Sequence, residues 1–231
     1  DAVLQHTGAV ANVLPRSHNN MVVGNTHNVT TVSNNLNARS MEVEAGGSLL
    51  LGVTTGHIFS DINGSGTIRI NCVDAGTGGK YSMPEGDWTD FAATSGGTIN
   101  FISNCGASTL PDTLTYGGLE LTGGNTISFP GVTSLTLNGG MTISGAGTIL
   151  SNIGTNIPFS VKGAWTNSAG FTGYAPGTET VTFDGTVAQA IDGNTNFGSL
   201  GVNNAAVVTI DDSVNIAGTL AFTDGILALT N

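Results

Sequence analysis

The sequence predicts an all-β chain wound as a right-handed parallel β-helix, a β-solenoid, and three features carry that expectation. Helical periodicity is nearly absent: no long window holds apolar residues at i, i+3, i+4 and i+7, and glycine interrupts throughout, 35 times in 231 residues. Short runs of period 2 recur instead, each bounded by Gly, Asn or Asp. Their spacing is tight, with apolar pairs beginning at residues 119, 127, 135, 143 and 149, and again at 200, 208, 214 and 220. Such an interval holds a three- or four-residue strand and a turn. It has no room for a crossover helix but fits one side of a stacked coil.

In chain order, residues 1–35 lack this rhythm and are expected to form an irregular segment lying over the first coil as a cap, within one domain spanning residues 1–231. Strands are then expected at Met41 to Val43, Leu49 to Leu51, Ile68 to Ile70 and Ile99 to Phe101. A loop insertion over residues 80–91, KYSMPEGDWTDF, breaks the series. The rhythm resumes at Leu119, Ile127, Leu135, Ile143 and Ile149, and continues through Val181, Leu200, Val208, Val214 and Leu220.

Turn signals every 8 to 12 residues also suit an antiparallel β-sandwich, so that fold is the alternative. Internal repetition separates the two. TLTYGG (113–118) matches TVTFDG (180–185), SLTLNG (134–139) matches SLGVNN (199–204), and SMEVEAGGSLLLG (40–52) is a third copy of the latter unit. Solenoids repeat because each coil buries its apolar face only against its neighbours, which sandwiches do not require.

The cadence of SMEVEAGGSLLLG, SLTLNGGMTISGAGTIL and TVTFDGTVAQAIDGNTNFGSLGVNNAAVVTIDDSVNIAGTLAF resembles the degenerate repeats of large secreted surface proteins of Bacteroidetes-type bacteria, which form right-handed parallel β-helices. The resemblance covers residues 34–52 and 113–231. It implies adhesion, surface coating or fibre formation and transfers no catalytic residue.

Composition narrows the function classes. Only 9% of residues are charged, with a net charge of −11 and no run of Lys or Arg. Nucleic acid and anionic membrane surfaces are poor partners for such a chain, because both are held by positive charge. No apolar run reaches the ~18 residues of a membrane span, and no signal-peptide pattern opens the chain, so Asp1 reads as the first residue of a processed or trimmed product. Few lysines and abundant Asn, Thr and Gly suit an extracellular or cell-surface setting.

The stretch DINGSGTIRI (61–70) raises a metal question. Asp61, Asn63 and Ser65 occupy the first, third and fifth places of an EF-hand-like calcium loop, with Gly66 at the sixth. The same frame recurs as ISGAGTIL (143–150), where Ala146 replaces Ser65 and Thr142 replaces Asp61, and the twelfth place is Cys72 in place of a bidentate Glu. A pattern that persists without its ligands serves to turn the chain. The expectation is a turn and no metal or other cofactor, with Asp61, Asn63 and Ser65 as the weak calcium candidate.

Cys72 and Cys105 end two similar strands, TIRINC and TINFISNC, and are expected to lie on neighbouring coils within disulfide reach; two buried thiols are the alternative. The 80–91 insertion gathers Tyr81, Glu85, Asp87, Trp88 and Asp90, a set able to stack on a sugar ring and to supply the two carboxylates of a glycosidase. The bland reading is a surface loop whose Trp88 covers the helix side. His6, His18, His27 and His57 show no ligand spacing and are expected in turns or at the surface. Asn28 begins a glycosylation sequon, and no regular Thr-x-Thr ladder of the kind that would face ice is visible.

The chain finishes GTLAFTDGILALTN, with Leu220, Phe222, Ile226, Leu227 and Leu229 in strand rhythm and only Asp224 interrupting. An uncapped terminal coil is expected, docking head to tail on a second copy to give a homopolymer, or else continuing into a longer solenoid. The expected function is a non-enzymatic extracellular fibre or adhesin subunit, with surface glycans as further partners. The alternative is a carbohydrate-binding module or polysaccharide-active enzyme using residues 81–91.

Overall fold

The computed structural model describes residues 3–6, 17–25, 28–30, 35–51, 56–73, 80–81, 83–103, 108–110, 115–129 and 131–230. The chain is a β-solenoid of about eight turns built from parallel stacked coils. Each coil contributes short strands to faces visited in fixed order. On the second face a single column of in-register partners runs Val29, Leu49, Ile68, Ile99, Leu119, Met141, Trp165, Ile191, Ile210 and Leu229. On the first face Met21, Met41 and Ile62 form one column and Tyr116, Leu137, Val161, Phe183, Val202 and Phe222 another. A third face carries Ile127, Leu150 and Tyr174 in register, and then Phe197 and Ile216.

These ladders are parallel, which excludes the sandwich. Among the described strands only Cys72–Val73 with Lys80–Tyr81 is antiparallel. The quoted repeats fall where the solenoid requires. Tyr116 and Phe183 share one column, and Leu135 shares another with Phe159, Val181 and Leu200, so each sequence match spans whole coils on one face.

Alternation along the strands places one apolar side chain inward every second residue. Leu119 and Leu121, Met141 and Ile143, and Val181 and Phe183 are all buried. In the middle coils the core is aromatic: Trp165 lies 5.2 Å from both Tyr174 and Phe197, and Phe159 lies 5.2 Å from Phe129. Large rings filling one coil after another add edge and tilted contacts to the area they bury. Among the described residues no helix is long and apolar enough to cross a membrane.

The irregular cap expected over residues 1–35 is corrected. Val3–His6, Ser17–Val23 and Asn28–Thr30 are ladder strands, and Met21 and Val23 are 1% exposed. The polar run Ser17 to Asn20 hid the strand, because backbone pairing to Asn37–Val43 needs no apolar side chain on that stretch. The 80–91 insertion is also more regular than expected. Glu85–Asp87 adds a parallel strand to Ile58–Gly64, and the excess length makes the coil from Ile68 to Ile99 the longest of its column.

The turn in DINGSG is a corner, not a reversal. Ile58–Gly64 belongs to the first face and Thr67–Ile70 to the second, with the bend at Ser65 and Gly66. Gly64 has φ +101°, and a Cβ there would lie 2.1 Å from the Val43 carbonyl oxygen of the coil beside it. Only glycine allows that approach. The match to ISGAGTIL parts at its end: Ile68 points inward on its strand, whereas on the later coil Thr148 and Leu150 are buried and Ile149 is not.

Candidate functional site

Asp61 and Asn63 stand two apart on an extended strand, and Asn63 Nδ2 donates to Asp61 Oδ2 at 2.7 Å. Ser65 is exposed at the corner beyond. A strand spaces alternate residues roughly 6–7 Å apart along its axis, whereas a calcium loop curls so that its oxygens converge within about 2.6 Å of one ion. Among the described residues no three His, Cys, Asp or Glu side chains gather as a metal site.

Strand Thr67–Ile70 pairs with Thr98–Phe101 in register, Ile70 opposite Phe101. Continued outward, that register sets Cys72 across from Ser103, and the Cys72 N–H donates to Ser103 Oγ. Cys105 comes two residues later and lies outside the described residues, as does the pairing expected for it.

In the acidic insertion the structure separates the expected partners. Trp88 is half-buried: its ring meets Phe91 edge-on at 5.8 Å, and its Nε1 donates to the Pro84 carbonyl at 3.2 Å. Phe91 is 1% exposed, so Trp88 is spent on covering the core. Glu85, Asp87 and Asp90 are exposed. The Thr89 hydroxyl at 2.6 Å, then its N–H at 2.9 Å, hold the Asp87 carboxyl below the usual carboxylate range. A general acid needs the opposite shift. Tyr81 sits on the short antiparallel strand, with its side chain outside the described residues.

Leu220–Leu229 pairs in parallel with Ser199–Ile210, and no described strand lies on its other edge. Leu220 and Phe222 stack on Leu200 and Val202, and Leu227 and Leu229 on Val208 and Ile210. Leu200, Val202 and Val208 are buried, yet Leu220 is 41%, Phe222 55%, Ile226 62% and Leu229 73% exposed, with Leu227 half-buried. Leu220, Phe222, Leu227 and Leu229 follow buried rungs in their columns, whereas Ile226 follows the half-buried Val207, and among the described residues no further rung covers them. An asparagine stack reaches the same end: Asn215 Nδ2 donates to Asn196 Oδ1 at 2.9 Å, and Asn196 Nδ2 to the Phe171 carbonyl at 2.9 Å.

Sequence reasoning missed a buried polar group at another corner. Tyr174 donates its hydroxyl to Glu179 Oε1, and Glu179 Oε2 accepts the Gly177 N–H at 2.8 Å. Both side chains are buried, and Tyr174 is pushed well above the usual tyrosine range by burial and then by the Glu179 carboxylate. Asn152 closes the adjoining turn, accepting the Ile157 N–H at 2.9 Å and donating to the Ile157 carbonyl at 2.8 Å. His57 is no surface residue either: it is 1% exposed, and its Nδ1 accepts the Leu36 N–H at 3.0 Å. Single polar residues amid Gly, Pro and Thr carry no periodic signal, so their partners emerge only from the fold.

Comparison of the chain with family models, curated proteins and solved structures returned no match.

Proposed function

We propose that this chain is a non-enzymatic structural β-solenoid, a subunit of an extracellular or cell-surface fibre, filament or adhesin, which assembles head to tail through its last coil. The observation that carries this reading is the exposure of Leu220, Phe222 and Leu229 in columns whose preceding rungs are core. A further coil laid in parallel on the outer edge of Leu220–Leu229 would satisfy its row of N–H and C=O groups and bury those side chains. Charge favours the opposite end of a second copy as the occupant. Beyond Lys162 the chain has no Lys or Arg but carries Glu179, Asp184, Asp192, Asp211, Asp212 and Asp224. Before Glu42 the sequence sets Arg16 and Arg39 against one acid, Asp1. Head-to-tail contact then brings unlike charge together and tail-to-tail contact brings like charge together. Such a heterologous contact does not close on itself and grows a filament.

The lysine-poor, Asn- and Thr-rich composition and the likeness of the quoted repeats to bacterial surface β-helices support an extracellular setting. A sugar-binding or hydrolytic role for residues 81–91 has less support, since Trp88 packs on Phe91 and the Asp87 carboxyl is held low. Sedimentation across a concentration series tests the assembly. The parent should form longer species as concentration rises and as salt falls, and Phe222→Lys should remain monomeric. A parent monomeric throughout, or a variant that assembles equally well, overturns the reading.

A further inference from the structure

Across the outer surface of the first face, three successive strands, Leu135–Leu137, Phe159–Val161 and Thr180–Phe183, border a trough of ≈ 240 Å³. Its walls and floor carry five hydroxyls, on Ser134, Thr136, Ser160, Thr180 and Thr182, beside the ring of Pro158. The register produces this array. Thr136, Ser160 and Thr182 are direct cross-strand partners, and Thr115 extends the same column by one rung. Thr180 pairs with Ser199 in the neighbouring column. The coils differ in length, so these residues fall at unequal intervals in the chain, and a search at one fixed interval does not find them.

The shape follows from side-chain size. Phe159 turns inward and is 3% exposed, and Ser160 is shorter than the threonines on either side. At Ser160 the middle rung is therefore lower than Thr136 and Thr182, whose strands stand two strand spacings, about 9.5 Å, apart, and the exposed ring of Pro158 bounds the dip on the same rung. None of the lining residues is charged. Asp184 accepts a hydrogen bond from the lining residue Ser160, and Lys162 Nζ donates to Asn138 Oδ1 at 2.7 Å.

We infer that this trough is a binding site for an uncharged polysaccharide, holding one sugar residue of a linear glycan between the Thr136 and Thr182 walls. A hydroxyl both donates and accepts, which matches the ligand's own hydroxyls; the Ser160 hydrogen is taken by Asp184, which leaves its oxygen to accept and the hydroxyls of Ser134, Thr136, Thr180 and Thr182 to do both. The threonine methyls and Pro158 offer apolar contact to the carbon faces of the ring. A lining without cations, on a chain of net charge −11, does not hold a polyanion. An ice plane would need a flat array, and this surface is furrowed and broken by Pro158. The Thr180–Phe183 wall lies two rungs before Leu220–Leu229, and none of the trough's lining residues belongs to the last coil, so Phe222→Lys tests assembly without altering the lining.

Backbone amide NMR with cellohexaose and with maltohexaose tests the inference, with polygalacturonate as the charged control. One of the two neutral sugars should shift signals at residues 134–136, 159–160 and 180–182, and Thr136→Val with Thr182→Val should weaken that binding about tenfold while leaving the spectrum folded, because valine keeps the shape and removes only the hydroxyl. Shifts with neither sugar, shifts centred on residues 81–91, equal binding of polygalacturonate, or ice shaping that the double variant abolishes would each overturn it.

Discussion

Replacing Tyr174 with Phe removes one hydroxyl from a site that is otherwise unchanged in volume. Tyr174 is 1% and Glu179 4% exposed, and the hydroxyl is the side-chain donor to Glu179 Oε1. In the variant the carboxylate keeps only the Gly177 N–H, at 2.8 Å on its other oxygen. Hydrogen bonds to a charged group contribute about 1.5–3 kcal/mol, so the variant should melt about 3–12 °C lower for a chain of this size. The pH dependence gives a second, independent readout. The folded state raises the Tyr174 pKa, with burial the first cause and the Glu179 carboxylate the second. Above the ordinary value of about 10 the unfolded chain releases this proton while the folded chain keeps it, so the Tyr174 contribution is full below pH ~10 and lost as pH rises through the folded value, at no more than ~1.4 kcal/mol per pH unit. The gap between parent and variant, measured by thermal melts followed by circular dichroism, should be constant from pH 6 to about 9 and narrow above about 10. A gap under about 1 °C at pH 7, or one that does not narrow by about pH 11, would refute the burial argument.

Four further outcomes are expected, the first from the sequence and the others from the structure. A bridge between Cys72 and Cys105 should leave no titratable thiol in denatured, unreduced protein, and its reduction should lower stability by about 3 kcal/mol for a loop of roughly 30 residues; two titratable thiols would dispose of it. Chelator should move the melting temperature by no more than a few degrees, since Asp61 and Asn63 lie on a strand and bond to each other; a larger drop would restore the calcium site. Gly64→Val forces a side chain onto the Val43 carbonyl at φ +101° and should cost about 1–3 kcal/mol in urea unfolding, whereas Ser65→Ala at the exposed corner should cost almost nothing. His57→Ala should cost about 1–3 kcal/mol by orphaning the buried Leu36 N–H, read by the same unfolding curves.

The period-2 runs, the Gly, Asn and Asp at their ends and the repeat offsets determined by themselves that the chain is a parallel solenoid, because each inward side chain is set by alternation within a few residues. Met141 and Ile143 or Leu200 and Val202 are legible for that reason, and so is the apolar row from Leu220 to Leu229. Register was decided only by the tertiary structure. Coil length varies from rung to rung, so nothing local states that Thr136 faces Ser160 and Ser160 faces Thr182, or that Cys72 meets Ser103. The strand at Ser17–Val23 was likewise settled by backbone pairing to the next coil, whereas Trp88 turns on the ring of Phe91 only three residues on, a local contact that takes its place once Phe91 is buried in the core. Alternation is a property of one strand. Facing columns, troughs and buried pairs such as Tyr174 with Glu179 are properties of how many residues each corner takes, and they exist only once the coils are stacked.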